Sequence, residues 1–129
     1  MGLLSKLFNS SSENKDEKEL PWNTLTSLNQ LDEIKEKSIT KTQLIFKHST
    51  RCGISRMVKN QFLKDYDFTE QDFDLYYLDL LNYRDISNEI AQLFQVYHES
   101  PQLLVIKNGI AVANKSHGAI NDIDLKKYI

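Results

Sequence analysis

The chain has 129 residues, 40% hydrophobic and 26% charged, which is enough for one domain with a real core and is not the composition of a disordered or fibrous protein. Sixteen basic residues stand against eighteen acidic ones, a net charge of -2, and the lysines are interleaved with acids, so no basic stripe offers counterion release to nucleic acid. A single cysteine excludes an internal disulfide, and a lone working thiol persists best where the medium is reducing, so a cytoplasmic location is expected.

Met1 to Phe8 is apolar in patches but too short for a secretory core or a transmembrane span. Lys6 stands where a myristoylation motif following Gly2 needs Ser or Thr, so a short amphipathic tail is the better reading. Asn9 to Glu19 is almost devoid of apolar side chains, the composition of a solvated linker. Residues 1–19 therefore read as a flexible tail and 20–129 as the domain.

Pro21 and Trp22 open a short extended segment, and the spacing of Ser27 and Gln30 predicts a capping box for a helix with Leu28, Leu31 and Ile34 on one face. Thr42 to Phe46 reads as a strand buried on both faces, followed by the loop that carries Cys52. From Gly53 an amphipathic helix is predicted, with Ile54, Val58 and Phe62 in a stripe and Met57 beside them. Phe73 to Leu81 is the next strand; Phe73, Tyr76 and Tyr77 fit strand packing better than a stacking platform. Ile86, Ile90, Leu93 or Phe94, and Tyr97 mark a further helix. Pro101 opens the strand Gln102 to Ile106, Asn108-Gly109 forms a hairpin turn, and a strand follows from Ile110. Asn121 and Asp122 are placed to cap a last helix holding Ile123, Leu125 and Tyr128.

The order is β-α-β-α-β-α-β-β-α, an α/β fold with a central mixed sheet flanked by helices, and it is the thioredoxin-like order. Its chemistry centres on Cys52. A thiol at the first turn of a helix meets unpaired backbone N–H groups and the positive end of the helix dipole, which favour the thiolate, the form that attacks sulfur. Where a dithiol catalyst carries its second cysteine, this chain has Ser55, which cannot resolve a disulfide. Ser55 either donates a hydrogen bond to the Cys52 thiolate or is a surface hydroxyl. Arg51 is the neighbouring charge that would favour the thiolate and attract a carboxylate-bearing thiol.

Pro101 is either a cis proline facing the thiol, with Ser100 offering a backbone rung to substrate, or a trans proline at a strand start; the fold order favours the first. His117 is either a ligand for an anionic thiol or a packing residue at a strand end, with Gly118 allowing close approach; His48 is a weaker candidate. Three scattered histidines and one cysteine lack zinc spacing, no metal site is expected, and neither a Gly-rich phosphate loop nor a papain-like cleft is present.

The run Phe46-Lys47-His48-Ser49-Thr50-Arg51-Cys52-Gly53-Ile54-Ser55, with Glu99-Ser100-Pro101-Gln102-Leu103-Leu104 and Ser116-His117, resembles the monothiol bacilliredoxins, redox-active proteins of the bacillithiol system. The resemblance spans roughly Trp22 to Ile129 and implies a small thioredoxin-fold protein of bacterial cytosol that removes bacillithiol from proteins it caps. It implies Cys52 as attacking thiol and Pro101 as the cis proline. Gly53 joins Arg51 and Ser55 as the residues expected to support the thiolate, and Thr50, Ser100, Pro101 and His117 are those expected around the substrate. Gly53 departs from the family, which has proline there. Cys52-Gly53-Ile54-Ser55 also resembles the C-G-F-S motif of monothiol glutaredoxins, which hold iron-sulfur clusters between two subunits.

The expectation is thus a monothiol thiol-disulfide oxidoreductase with a low-molecular-weight thiol, bacillithiol by resemblance, as its cofactor and thiolated proteins as its partners. An iron-sulfur cluster carrier and a non-catalytic thioredoxin-fold adaptor are the alternatives.

Overall fold

The computed structural model describes residues 20–129; the tail expected over 1–19 lies outside the described residues. Five strands form one sheet in the order β1-β3-β2-β4-β5. These are β1 (Trp22–Thr24), β2 (Gln43–His48), β3 (Asp74–Asp79), β4 (Gln102–Lys107) and β5 (Ile110–Ser116), and the helices are α1 (Asn29–Lys37), α2 (Gly53–Asp65) and α3 (Arg84–Leu93). β3 runs parallel to both β1 and β2, whereas β4 is antiparallel to β2 and to β5. The expected mixed sheet is the one found.

β2 is central and buried along its whole length, so successive side chains feed opposite layers. Leu44 and Phe46 join Val58 and Phe62 of α2, while Ile45 joins Leu31 and Ile34 of α1 and Ile86 and Ile90 of α3. The same alternation carries Lys47 toward the α3 side and His48 toward the α2 side. Trp22, Phe62 and Tyr66 extend the α2 layer as an aromatic cluster around Phe46. Tyr76 and Phe73 are buried as strand packing requires.

The capping box before α1 is half formed: Gln30 Oε1 accepts the amides of Thr26 and Ser27 at 2.8 and 3.0 Å, but the Ser27 side chain makes no cap bond. Leu28, expected on the buried face, is exposed because it stands before the first helical turn. In α2 the inward stripe is Ser55, Val58 and Phe62, so Ile54 and Met57 face outward, 62% and 70% exposed. α3 stops at Leu93; Gln95 follows in a left-handed conformation, and Tyr97, expected on the helix, lies beyond it with its side chain in solvent. Asn108 and Gly109 both take positive φ in the hairpin turn, and their amides bond to the carbonyl and hydroxyl of Ser38 at the end of α1.

The last helix is not formed as expected. Two 3-10 segments, His117–Asp122 and Leu125–Tyr128, replace it, because Ile123 is extended (φ -73°, ψ 140°) and divides the stretch into pieces too short to propagate an α-helix. Asn121 does not cap them; its amide reaches the Val58 carbonyl at 3.4 Å and ties the segment to α2.

Candidate thiol-exchange site

Cys52 is the N-cap of α2. Its amide donates to the Ser49 carbonyl, its carbonyl accepts the Arg56 amide as the first bond of the helix, and its side chain is half-buried and makes no cap bond. The amides of Gly53, Ile54 and Ser55 belong to the first turn and have no helical carbonyl to serve, so their partial positive charge gathers where the thiol sits. A Cβ built on Gly53 would meet nothing within 4 Å, so the space above this turn is open. Thr50 and Arg51 are exposed in the turn before the thiol, and among the described residues Arg51 has no ion pair.

Ser55 makes neither of the expected arrangements. It is wholly buried, its Oγ accepts the Ser49 amide at 3.2 Å, and it lies 2.8 Å from His48 Nδ1. Because the hydroxyl hydrogen has no other partner among the described residues, it goes to Nδ1, which places the imidazole proton on Nε2. Ser55 is therefore engaged by His48 and Ser49 and fastens the Cys52 loop to the end of β2. His48 is 3% exposed and packs on the Tyr77 ring at 5.8 Å. Burial, reinforced by Lys59 and Arg56 and opposed by Asp79, holds its pKa down at about 4, so the ring is neutral at physiological pH.

The Ser100–Pro101 peptide is cis, as the fold order suggested. Pro101 is buried, and Ser100 Oγ is buried without a hydrogen-bond partner among the described residues. The Pro101 carbonyl accepts the His117 amide at 2.9 Å. His117 adopts a left-handed φ of 57° and is exposed, so its backbone is fixed beside Pro101 while its imidazole stands in solvent. Gly118 is not closely approached: a Cβ there would meet nothing within 4 Å. The pairings Lys47↔Gln102 and Gln102↔Ser116 bring the ends of β2, β4 and β5 together, so Cys52, Pro101 and His117 share one end of the sheet.

Three residues of this end escape a reading of the sequence. Lys47 is fully buried, and its ammonium donates to His98 Nδ1 at 2.8 Å and to Gln102 Oε1 at 3.0 Å. Burial lowers the Lys47 pKa to about 8, with Glu99 pulling it back up. Burial, Lys47 and Arg84 lower that of His98, consistent with a neutral ring whose Nδ1 accepts. The available signal was the position of Lys47 two residues after Ile45, on the same inward period of β2. Among the described residues no group of three or more His, Cys, Asp or Glu is arranged to hold a metal ion, and no helix is long and apolar enough to cross a membrane.

A sheet of this order with a thiol at the start of α2 and a cis proline opening the facing strand defines a thioredoxin-like redox protein. Known structures agree. The chain is similar to a protein described as a candidate oxidoreductase with a thioredoxin fold, at 40% identity over 76% of this chain and 84% of that one, with a TM-score of 0.65. Schistosoma mansoni thioredoxin, at 21% identity, covers 84% of this chain and 95% of its own with a TM-score of 0.62, and Malassezia sympodialis thioredoxin gives 0.57 at 21% identity, covering 85% and 90%. These two share the fold. The model of the family described as monothiol bacilliredoxin BrxC matches residues 23–125, and the chain belongs to that family.

Proposed function

We propose that this protein removes bacillithiol from mixed disulfides on client proteins in the cytoplasm, by a monothiol exchange at Cys52. The observation that carries the reading is a single half-exposed thiol capping α2, with the position three residues on filled by a serine that is buried and bonded elsewhere. The Cys52 thiolate attacks the bacillithiol sulfur of the client's mixed disulfide. A new S–S bond forms, the old one breaks, and the client cysteine leaves as a thiolate.

Without an internal resolving thiol, a second bacillithiol thiolate attacks the bacillithiol sulfur on Cys52. Cys52 leaves as a thiolate and bacillithiol disulfide is released, so one disulfide is exchanged for another: the client cysteine is reduced as the incoming bacillithiol is oxidised. Thr50, Arg51 and the first-turn amides, including that of Gly53, lie on the thiol side of the substrate. Ser100, Pro101 and His117 lie at the facing strand ends, where an extended client segment would pair.

The test is intact mass spectrometry of the protein mixed with a bacillithiol-capped client. The bacillithiol mass should move to Cys52 and not to the Cys52→Ser variant. Transfer to neither would remove the assignment and send attention to an adaptor role or to anaerobic iron-sulfur reconstitution, where colour and a dimer would mark a cluster carrier.

A further inference from the structure

Lys47 is a buried cation that the exchange chemistry does not use. It lies on β2, yet both its hydrogen-bond partners belong to the segment entering β4: His98 and Gln102. Gln102 passes the connection on, its Nε2 donating to the Tyr97 carbonyl at 2.9 Å, and Ser87 of α3 approaches His98 Nδ1 at 3.3 Å. The Ser100–Pro101 peptide is inside the loop that these bonds close.

Replacing such a lysine by an apolar side chain would relieve the desolvation of its charge, so the fold alone gives little reason to keep it. An ammonium does what an apolar side chain cannot: it holds two acceptors on one segment in fixed positions relative to β2. Resting on the exchange reading above, we propose that Lys47 is a positioning residue, which fixes Tyr97–Gln102 against β2 so that Ser100 and Pro101 stand in register for a client segment bound to Cys52.

The experiment uses the full chain with a bacillithiol-capped reporter protein and reduced bacillithiol for turnover, and iodoacetamide in a separate alkylation assay, on Lys47→Met, Gln102→Leu and the double variant. Each single substitution should raise KM for the reporter about tenfold, leave kcat and the alkylation of Cys52 within about twofold, and add little in the double variant, because both cut one connection. Hydrogen exchange should quicken across residues 95–100 while β3 is unchanged. An unchanged KM, a parallel loss of alkylation, additive losses, or unaltered exchange in residues 95–100 would overturn the assignment. If wild type itself takes no bacillithiol, the exchange reading fails, and hydrogen exchange still decides whether Lys47 holds the segment. Should Lys47→Met not fold, Gln102→Leu and His98→Phe break the two bonds one at a time and carry the same comparison.

Discussion

His48 Nδ1 lies 2.8 Å from Ser55 Oγ, joining the last residue of β2 to the first turn of α2 across the loop that carries Cys52. The two ends of the loop are thereby fixed to each other by side chains, and the thiol is held between them. The Ser49 amide bonds the same oxygen, so one hydroxyl satisfies two groups of that loop. Ser55→Ala leaves the buried His48 ring and the partly buried Ser49 amide without this partner. It should destabilise the fold by about 1–3 kcal/mol, read from the urea midpoint at constant m, while transfer of bacillithiol to Cys52 persists at a reduced rate.

The neutral state of His48 couples this junction to pH. Its folded pKa of about 4 is below the ordinary 6.5, so between those values the unfolded chain binds more protons than the folded one. The stability present above pH 6.5 should decline as pH falls toward 4, by up to about 3 kcal/mol. Urea titrations at pH 7, 5.5 and 4 check this; a decline of the same size in His48→Phe over that range would assign it to other groups.

Lys47 has the same sign in another window. Its pKa falls from 10.5 to about 8, so burying the ammonium opposes folding below pH 8 and that opposition is relieved as pH rises toward 10.5. Tyr66, Tyr76 and Tyr77 have raised pKa values through burial and work against stability at the alkaline end, so the comparison is kept below pH 10. The stability difference between wild type and Lys47→Met, from urea midpoints at pH 7.5 and 9.5, should shift in favour of wild type by about 1–2 kcal/mol as pH rises; a constant difference would refute the coupling.

Gly53→Pro should be accepted by the fold. Cys52 already holds the extended backbone (φ -100°, ψ 121°) that precedes proline comfortably, position 53 is the first of the helix, and a Cβ there meets nothing. A gain of about 0.5–1 kcal/mol in unfolding free energy is expected from the stiffer unfolded chain. Thermal unfolding of the variant reads it directly, and a loss of stability would show that the Gly53 amide has a structural partner.

The elements near Cys52 were legible because each rests on a local signal: β-formers in β2 and β4, the paired positive-φ residues Asn108 and Gly109, the proline opening β4. Ile54 and Met57 misled because four-residue apolar spacing fits more than one face, and the real inward stripe of α2 begins with a serine. Lys47, and the burial of His48, were hidden for a different reason. Polar residues at the end of an apolar run look like the exit of a strand, and the partners that permit their burial stand 51 and 55 residues away for Lys47 and across a loop for His48. The final helix failed at Ile123, whose extended backbone no capping residue announces.

The serine at position 55 bears on timing as well as on shape. In the proposed cycle a thiol lodged on Cys52 has no route out through the protein's own atoms, so the modified form lasts as long as the surrounding pool of reduced small thiol allows. The fraction of molecules carrying the adduct would then follow that pool, making occupancy of Cys52 a running gauge of the reducing capacity around it.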